Sequence, residues 1–207
     1  MSFITNAAEI RTRARQKIEQ GSVTQDYQLD AEQAVGILNE ALATEIMCTL
    51  RYRFHSFVAT GIHSTAVAEE FLEHAQEEQE HADLIAKRIK QLGGKPEMNP
   101  AVVAQRSHSE YKEGTSLADM IRENLIAERI AIETYREIVH FFGEKDPTSR
   151  IMIEQILAKE EEHADELADL LFAVAPDTNN PQPNRSSSDK TSASSHGSEE
   201  RKSKAQH

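Results

Sequence analysis

The 207-residue sequence has one cysteine, Cys48, and no tryptophan. A single thiol excludes a disulfide within the chain, a four-cysteine zinc site and a rubredoxin-type iron centre, and it fits a reducing compartment. Only six prolines and eight glycines are present, so long stretches run without a helix breaker, which favours an all-α fold over a many-turned β fold. No apolar run approaches the roughly 20 residues of a membrane span. Near the start, Glu9 and Glu19 interrupt the cations and no apolar signal-peptide core follows. The expected protein is soluble and cytoplasmic, with no membrane partner.

Positive charge is also scarce, at 23 Lys/Arg against 35 Asp/Glu, a net −12. Such a surface repels nucleic acid and anionic membranes and attracts cations. Residues 177–207 are rich in Ser, Pro and Asn, and Ala193 and Ala205 are their only apolar side chains. That segment cannot pack, so disorder is expected there. Its five Lys/Arg against four Asp/Glu leave +1, whereas DNA affinity needs several phosphate neutralisations. DNA is not expected as a partner. The acidity belongs to the body, and the chain divides into an extension (1–27), a folded region (28–176) and a tail (177–207).

Four long helical patterns fill the folded region, each with its own boundary signals. The first opens at Asp30 with Gln33 three residues on and runs to about Thr60, before Gly61. A second starts after Ser64 and ends at Gly93-Gly94. The third starts after Ser116 and stops at Gly143, and the fourth starts at Asp146-Pro147 and ends before Pro176. Short loops join the first to the second and the third to the fourth, which makes antiparallel hairpins. The middle connection, Gly94 to Thr115, is about 22 residues long and reaches roughly 70 Å when extended. It can therefore cross a bundle roughly 42 Å long. Asn99-Pro100 marks a short helix inside it, through about Arg106, and residues 4–19 read as another, anchored by Ile4, Ile10 and Ile18.

Each long pattern has an apolar stripe at spacings of three and four, and a carboxylate interrupts each stripe: Glu45, Glu78, Glu128 and Glu160. Counting outward from the hairpin turns puts all four at about the same height, within a few ångströms at about 1.5 Å per residue. The hairpins also repeat. Glu45 is followed by Glu78-x-x-His81, and Glu128 by Glu160-x-x-His163. Positions i and i+3 share a helix face, so each Glu and His pair can ligate one metal cluster. Four ionised carboxylates in an apolar interior would cost several kcal/mol each, and two divalent cations cancel that charge. Mixed oxygen and imidazole donors suit iron or manganese better than structural zinc; two irons are expected.

At these residues the sequence resembles the ferritin-like superfamily, and within it bacterioferritins and the Dps-like ferritins that share an intrasubunit di-iron site. The resemblance covers about residues 28–175. It implies a four-helix bundle in which Glu45 and His81 hold one iron, Glu128 and His163 the other, and Glu78 and Glu160 bridge. The family pattern has a tyrosine seven residues after the first Glu, here Tyr52, which could stack beside the centre or supply an electron; Tyr135 holds the equivalent place in the second hairpin. Bacterioferritins place a haem-ligating Met where this chain has Gln79, which speaks against haem there. Nothing beyond Pro176 resembles the fifth helix of 24-subunit shells, and the short crossover helix resembles the Dps insertion that accompanies 12-subunit shells. A rubrerythrin would carry a further Glu where Ala131 stands.

The resemblance implies a ferroxidase and iron-storage subunit of a homo-oligomeric shell of 12 or 24 chains, taking iron ions with O₂ or H₂O₂. The same six ligands also serve di-iron oxygenases of the quinone-hydroxylase kind and di-manganese catalases, and a DNA-protecting shell is a non-enzymatic alternative. Glu80, Glu161 and Glu162 lie off the stripe and read as solvated, and Cys48 reads as a small buried hydrophobe. Glu73, Glu77 and His74 flank the site. His55, His63, His108 and His140 follow no ligand spacing.

Overall fold

The computed structural model describes residues 6–175, so Ile4 and the expected tail, residues 177–207, lie outside the described residues. Among those described are α1 (Ala7–Arg13), a 3₁₀ turn (Ile18–Gln20), α2 (Ala31–Val58), α3 (Ser64–Gln91), α4 (Pro100–Arg106), α5 (Leu117–Phe142) and α6 (Pro147–Val174), with no strand. The capping residues act as their chemistry dictates: the Gln33 N–H donates to Asp30 Oδ1, that of Asp119 to Ser116 Oγ and that of Ser149 to Asp146 Oδ1. α3 differs. Ser64 is already helical, and the N-cap is His63, which makes no side-chain cap bond.

Packing is densest within each hairpin, α2 on α3 and α5 on α6, and the hairpins meet through α2 on α5 and α3 on α6. The turn after α3 requires glycine for two reasons. Gly93 has φ 81°, and a Cβ at Gly94 would stand 2.5 Å from the Val35 side chain.

The N-terminal expectation needs correction. The helix covers only Ala7–Arg13, and Ile10 and Ile18, 47% and 79% exposed, anchor nothing. One isoleucine per turn or two is too little apolar area to dock so short a helix. The extension is held farther along instead, where Val23, Tyr27 and Leu29 pack on the core and Ser22 Oγ donates to the Gln91 carbonyl at 2.6 Å. The Tyr27 hydroxyl donates to Asp146 Oδ2 at 2.9 Å, and the same carboxylate receives Arg88 Nη2 and Ser149 Oγ. The cap of α6 is thus also a buried junction of three chain segments.

The core forms two apolar clusters. One is built around Leu38, Leu42, Ile85, Tyr135, Phe142 and Ile156, the other around Tyr52, Val67, Phe71, Ile121 and Leu167. In every long helix the stripe carboxylate falls between the two sets along the sequence, so a polar layer is sealed on both sides by hydrocarbon.

α2 is buried far beyond its expected stripe, because α4 and the crossover lie along it. Asn39 Nδ2 donates to the Lys95 carbonyl and Asn39 Oδ1 accepts the Glu97 N–H. Arg51, only 1% exposed, donates through Nε to Asn124 Oδ1 at 2.8 Å and through Nη1 to the Glu110 carbonyl at 2.9 Å. His55 Nε2 meets the Glu113 carbonyl at 3.0 Å, with Nδ1 on Asn124. Burial pushes the His55 imidazole below its ordinary value, as suits a neutral ring bridging these groups.

Candidate metal centre

Glu45, Glu78, His81, Glu128, Glu160 and His163 are all buried at mid-bundle. Their donor atoms form two overlapping groups, Glu45–Glu78–His81–Glu160 and Glu78–Glu128–Glu160–His163, each with its atoms within 4.8 Å of one another. Glu78 and Glu160 belong to both. The i,i+3 spacing points each histidine inward beside its own glutamate: His81 Nδ1 lies 3.1 Å from Glu160 Oε1, 3.4 Å from Glu45 Oε2 and 3.7 Å from Glu78 Oε2. His163 Nδ1 lies 3.5 Å from Glu78 Oε1 and 3.8 Å from Glu160 Oε2.

These are ion-pair distances without hydrogen-bond alignment. Seven inward-facing atoms, Glu45 Oε2, Glu78 Oε1, His81 Nδ1, Glu128 Oε2, both Glu160 oxygens and His163 Nδ1, are buried with no hydrogen-bond partner. Orphaned polar atoms are costly in an apolar interior. Their convergence on common points suits a pair of hard cations with carboxylate and imidazole ligands.

Proton distribution supports that fit. Burial, and then the neighbouring Glu78 and Glu160 charges, raise the Glu45 and Glu128 carboxyls far above the carboxylate range. Burial works the same way on Glu78 and Glu160 but is outweighed, on Glu78 by the neighbouring Glu45 carboxyl and then the two imidazoles, on Glu160 by the two imidazoles and then the Glu128 carboxyl, and both are lowered. Burial works against the imidazolium forms, yet the close carboxylates win: His81 is raised and His163 is pushed up to about 12. Without metal the layer is therefore neutral, with two carboxylic acids, two carboxylates and two imidazolium ions. Two divalent cations on four carboxylates and two neutral imidazoles give the same zero sum.

Each first-motif glutamate is also held from the opposite hairpin. Tyr52 donates to Glu128 Oε1, and Tyr135 to Glu45 Oε1. Of the flanking residues, Glu73 is exposed, but Glu77 Oε2 is 2.6 Å from His163 Nε2 and its Oε1 is 3.1 Å from Lys159 Nζ. His74 stacks on His163 with ring centroids 4.0 Å apart, and its Nε2 is 3.0 Å from Glu166 Oε2. Glu80, Glu161 and Glu162 are exposed, as is Gln79. Cys48 is buried, and burial raises its thiol. Between α3 and α6 a pocket of about 190 Å³ reaches His81, with Glu77, Glu80, Leu84, Gln155 and Lys159 around it.

The sequence reading missed the Arg51–Asn124–His55 cluster and the Glu77–His163 contact. The available signal was a polar run down one side of the first pattern, Asn39, Thr44, Arg51 and His55, together with a 22-residue connection that had to lie along some helix.

The profile of the family described as ferritin-like domain matches residues 35–174. The bacterioferritin of Mycobacterium leprae is 31% identical over 132 residues, 63% of this chain and 79% of that protein. A DNA protection during starvation protein from Pyrococcus furiosus is 28% identical over 138 residues, 65% of this chain and 75% of that one. Among solved structures, the bacterioferritin-related protein of Bacteroides fragilis, a dodecameric thioferritin, is 36% identical. It superposes with a TM-score of 0.69 over 72% of this chain and 89% of its own. A mycobacterial bacterioferritin is 32% identical with a TM-score of 0.62, over 71% of this chain and 87% of its own.

Proposed function

The chain belongs to the ferritin-like domain family, and on that premise we propose that it is a ferroxidase and iron-storage subunit that takes two ferrous ions as substrate at its carboxylate layer. In this reading Glu45 and His81 hold one ion, Glu128 and His163 the other, and Glu78 and Glu160 lie between them. The observation that carries it is the set of seven buried, partnerless donor atoms shared between two overlapping groups.

The protein's own part is electrostatic. Four carboxylates stabilise the ferric state over the ferrous one, and the apolar clusters on either side keep water out and the interaction strong. Two ferrous ions give up one electron each. The pair, with two protons, takes O₂ to H₂O₂, or H₂O₂ to two waters. Tyr52 and Tyr135 fix the orientation of the outer glutamates, and Tyr52 is placed to supply a further electron.

The pocket at His81 is small and rimmed by Glu77, Glu80 and Lys159, which suits a hydrated cation better than the organic substrate of an oxygenase. Among the described residues no helix is long and apolar enough to cross a membrane. The reading includes a homo-oligomeric shell in the cytoplasm, where the buried Cys48 thiol stays reduced. The dodecameric state of the Bacteroides fragilis relative supports 12 chains, and exposed Phe57 and Ile62 offer apolar area for subunit contacts.

Anaerobic ferrous titration followed by aerobic oxidation tests the site. The expected result is two irons oxidised per chain, and loss of both in a Glu78→Ala, Glu160→Ala variant. Full activity in that variant refutes the site. Mass measurement in solution tests the shell, with about 280 kDa expected for a dodecamer of 23.2 kDa chains.

A further inference from the structure

The two histidines present the same atom to the centre but differ behind it. His163 is fully buried, with Nε2 2.6 Å from Glu77 Oε2. Glu77 is itself braced by Lys159 at 3.1 Å, and Lys159 by Glu162 at 2.8 Å. The His74 ring closes the other side by stacking. With Lys159 Nζ on one oxygen and His163 Nε2 on the other, the Glu77 carboxylate is placed to accept the Nε2–H. A carboxylate accepting from Nε2–H fixes the tautomer, leaves the Nδ1 lone pair facing the centre and makes it more basic. Among the described residues His81 has no such brace. Its carboxylate contacts among the described residues, Glu45, Glu78 and Glu160, all belong to the centre itself, and its ring borders the α3–α6 pocket.

We propose that the two ion positions are unequal: Glu77 is a positioning residue that makes the Glu128–His163 position the retaining one, while the Glu45–His81 position exchanges its ion through the α3–α6 pocket. This rests on the two-ion reading above. The internal repeat makes the layer symmetric in its donors, and the asymmetry enters only behind the imidazoles. The second hairpin's histidine is supported from α3 by Glu77, whereas the residue before Glu160, Lys159, is a cation and cannot accept from His81 in return. A ring held on one face by His74 and at its far nitrogen by Glu77 also loses less freedom when its ion binds.

Equilibrium titration of the full-length protein with Co²⁺, followed by its visible ligand-field band and by calorimetry, tests the assignment. Two steps are expected. The tighter one should disappear in Glu128→Ala and the weaker one in Glu45→Ala. Glu77→Gln should weaken the tighter step 10–100-fold and leave the weaker step in place, with a changed band for the tighter ion alone. Lys159→Met, on the partly exposed outer side of Glu77, should act in the same direction to a smaller degree, and Glu161→Gln, at an exposed residue away from that pocket, should change neither step. On adding a chelator, one ion per chain should leave quickly and one slowly, and Glu77→Gln should abolish the slow phase. Equal affinities in the unmodified protein, or a Glu77→Gln effect that is absent or shared by both steps, overturns the inference while leaving the two-ion site intact. Fewer than two Co²⁺ per chain overturns the two-ion reading itself.

Discussion

The two hairpins carry the same Glu and Glu-x-x-His pattern at the same height, yet they are embedded differently. α2 is covered on one side by its partner helices and on another by α4 and the crossover, and it holds that connection with Asn39, Thr44, Arg51 and His55. α5 alternates buried and exposed residues as a half-covered helix should. The repeat thus fixes the chemistry of the layer, while the connection between the repeats makes one half structurally heavier than the other.

The largest expected effect concerns the layer, where the halves should behave alike. Each contributes one carboxylic acid, one carboxylate and one imidazolium when metal-free, so loading two divalent ions should release about four protons in all. Affinity should fall steeply as the pH is lowered, which calorimetry in buffers of different ionisation enthalpy measures. Metal-free stability has its own signs. The raised groups, Glu45, Glu128, His81 and His163, contribute stability that is complete below their unfolded values and is lost as the pH rises towards their folded ones. The lowered Glu78 and Glu160 contribute above their unfolded value and lose it as the pH falls through the folded one. The metal-free protein should therefore melt at its highest temperature in mildly acid solution and at lower temperatures as the pH rises through neutrality, whereas added metal should reverse the alkaline side of that curve.

Next in size is the structural difference between the halves. Arg51→Ala leaves Asn124 Oδ1 without its donor in the interior, frees the Glu110 carbonyl and opens a cavity, and should cost about 3–5 kcal/mol by denaturant unfolding. The matching position six residues after Glu128 is half-buried Thr134, where alanine should stay within about 0.5 kcal/mol. Equal costs would erase the contrast. A smaller asymmetry separates the hairpin turns. Asp146→Ala removes a cap, an Arg88 pair and the Tyr27 bond, for about 3 kcal/mol. The corresponding His63→Asp should instead stabilise by about 0.5–1 kcal/mol by supplying the missing cap. The smallest difference is expected between Tyr52→Phe and Tyr135→Phe, which remove equivalent hydrogen bonds and should each shift stability by about 1 kcal/mol; markedly unequal effects would show that the repeat has diverged inside the layer too.

The long helices were legible in the sequence to within about two residues because Asp30, Ser116 and Asp146 are local signals whose partners lie three residues away. The convergence of the six side chains at mid-bundle was legible for a related reason, since two short turns and a fixed rise per residue convert sequence distance into height. Arg51 was not, because its partners lie 59 and 73 residues away and nothing local separates a buried arginine from a solvated one. Glu77 was placed beside the site but not on His163, since its contact crosses between hairpins, where no turn sets the register. The N-terminal isoleucines misled because apolar spacing alone does not say whether a neighbour exists to cover it.

The hydrocarbon plugs above and below the carboxylate layer close the bundle along its axis. Under the proposed function, ions and oxidant would have to come and go sideways, between helices, and on the α2 flank the crossover stands in the way. Lengthening or shortening the helices at either end should leave iron traffic untouched, whereas a single bulky side chain wedged into the gap between α3 and α6 would throttle it.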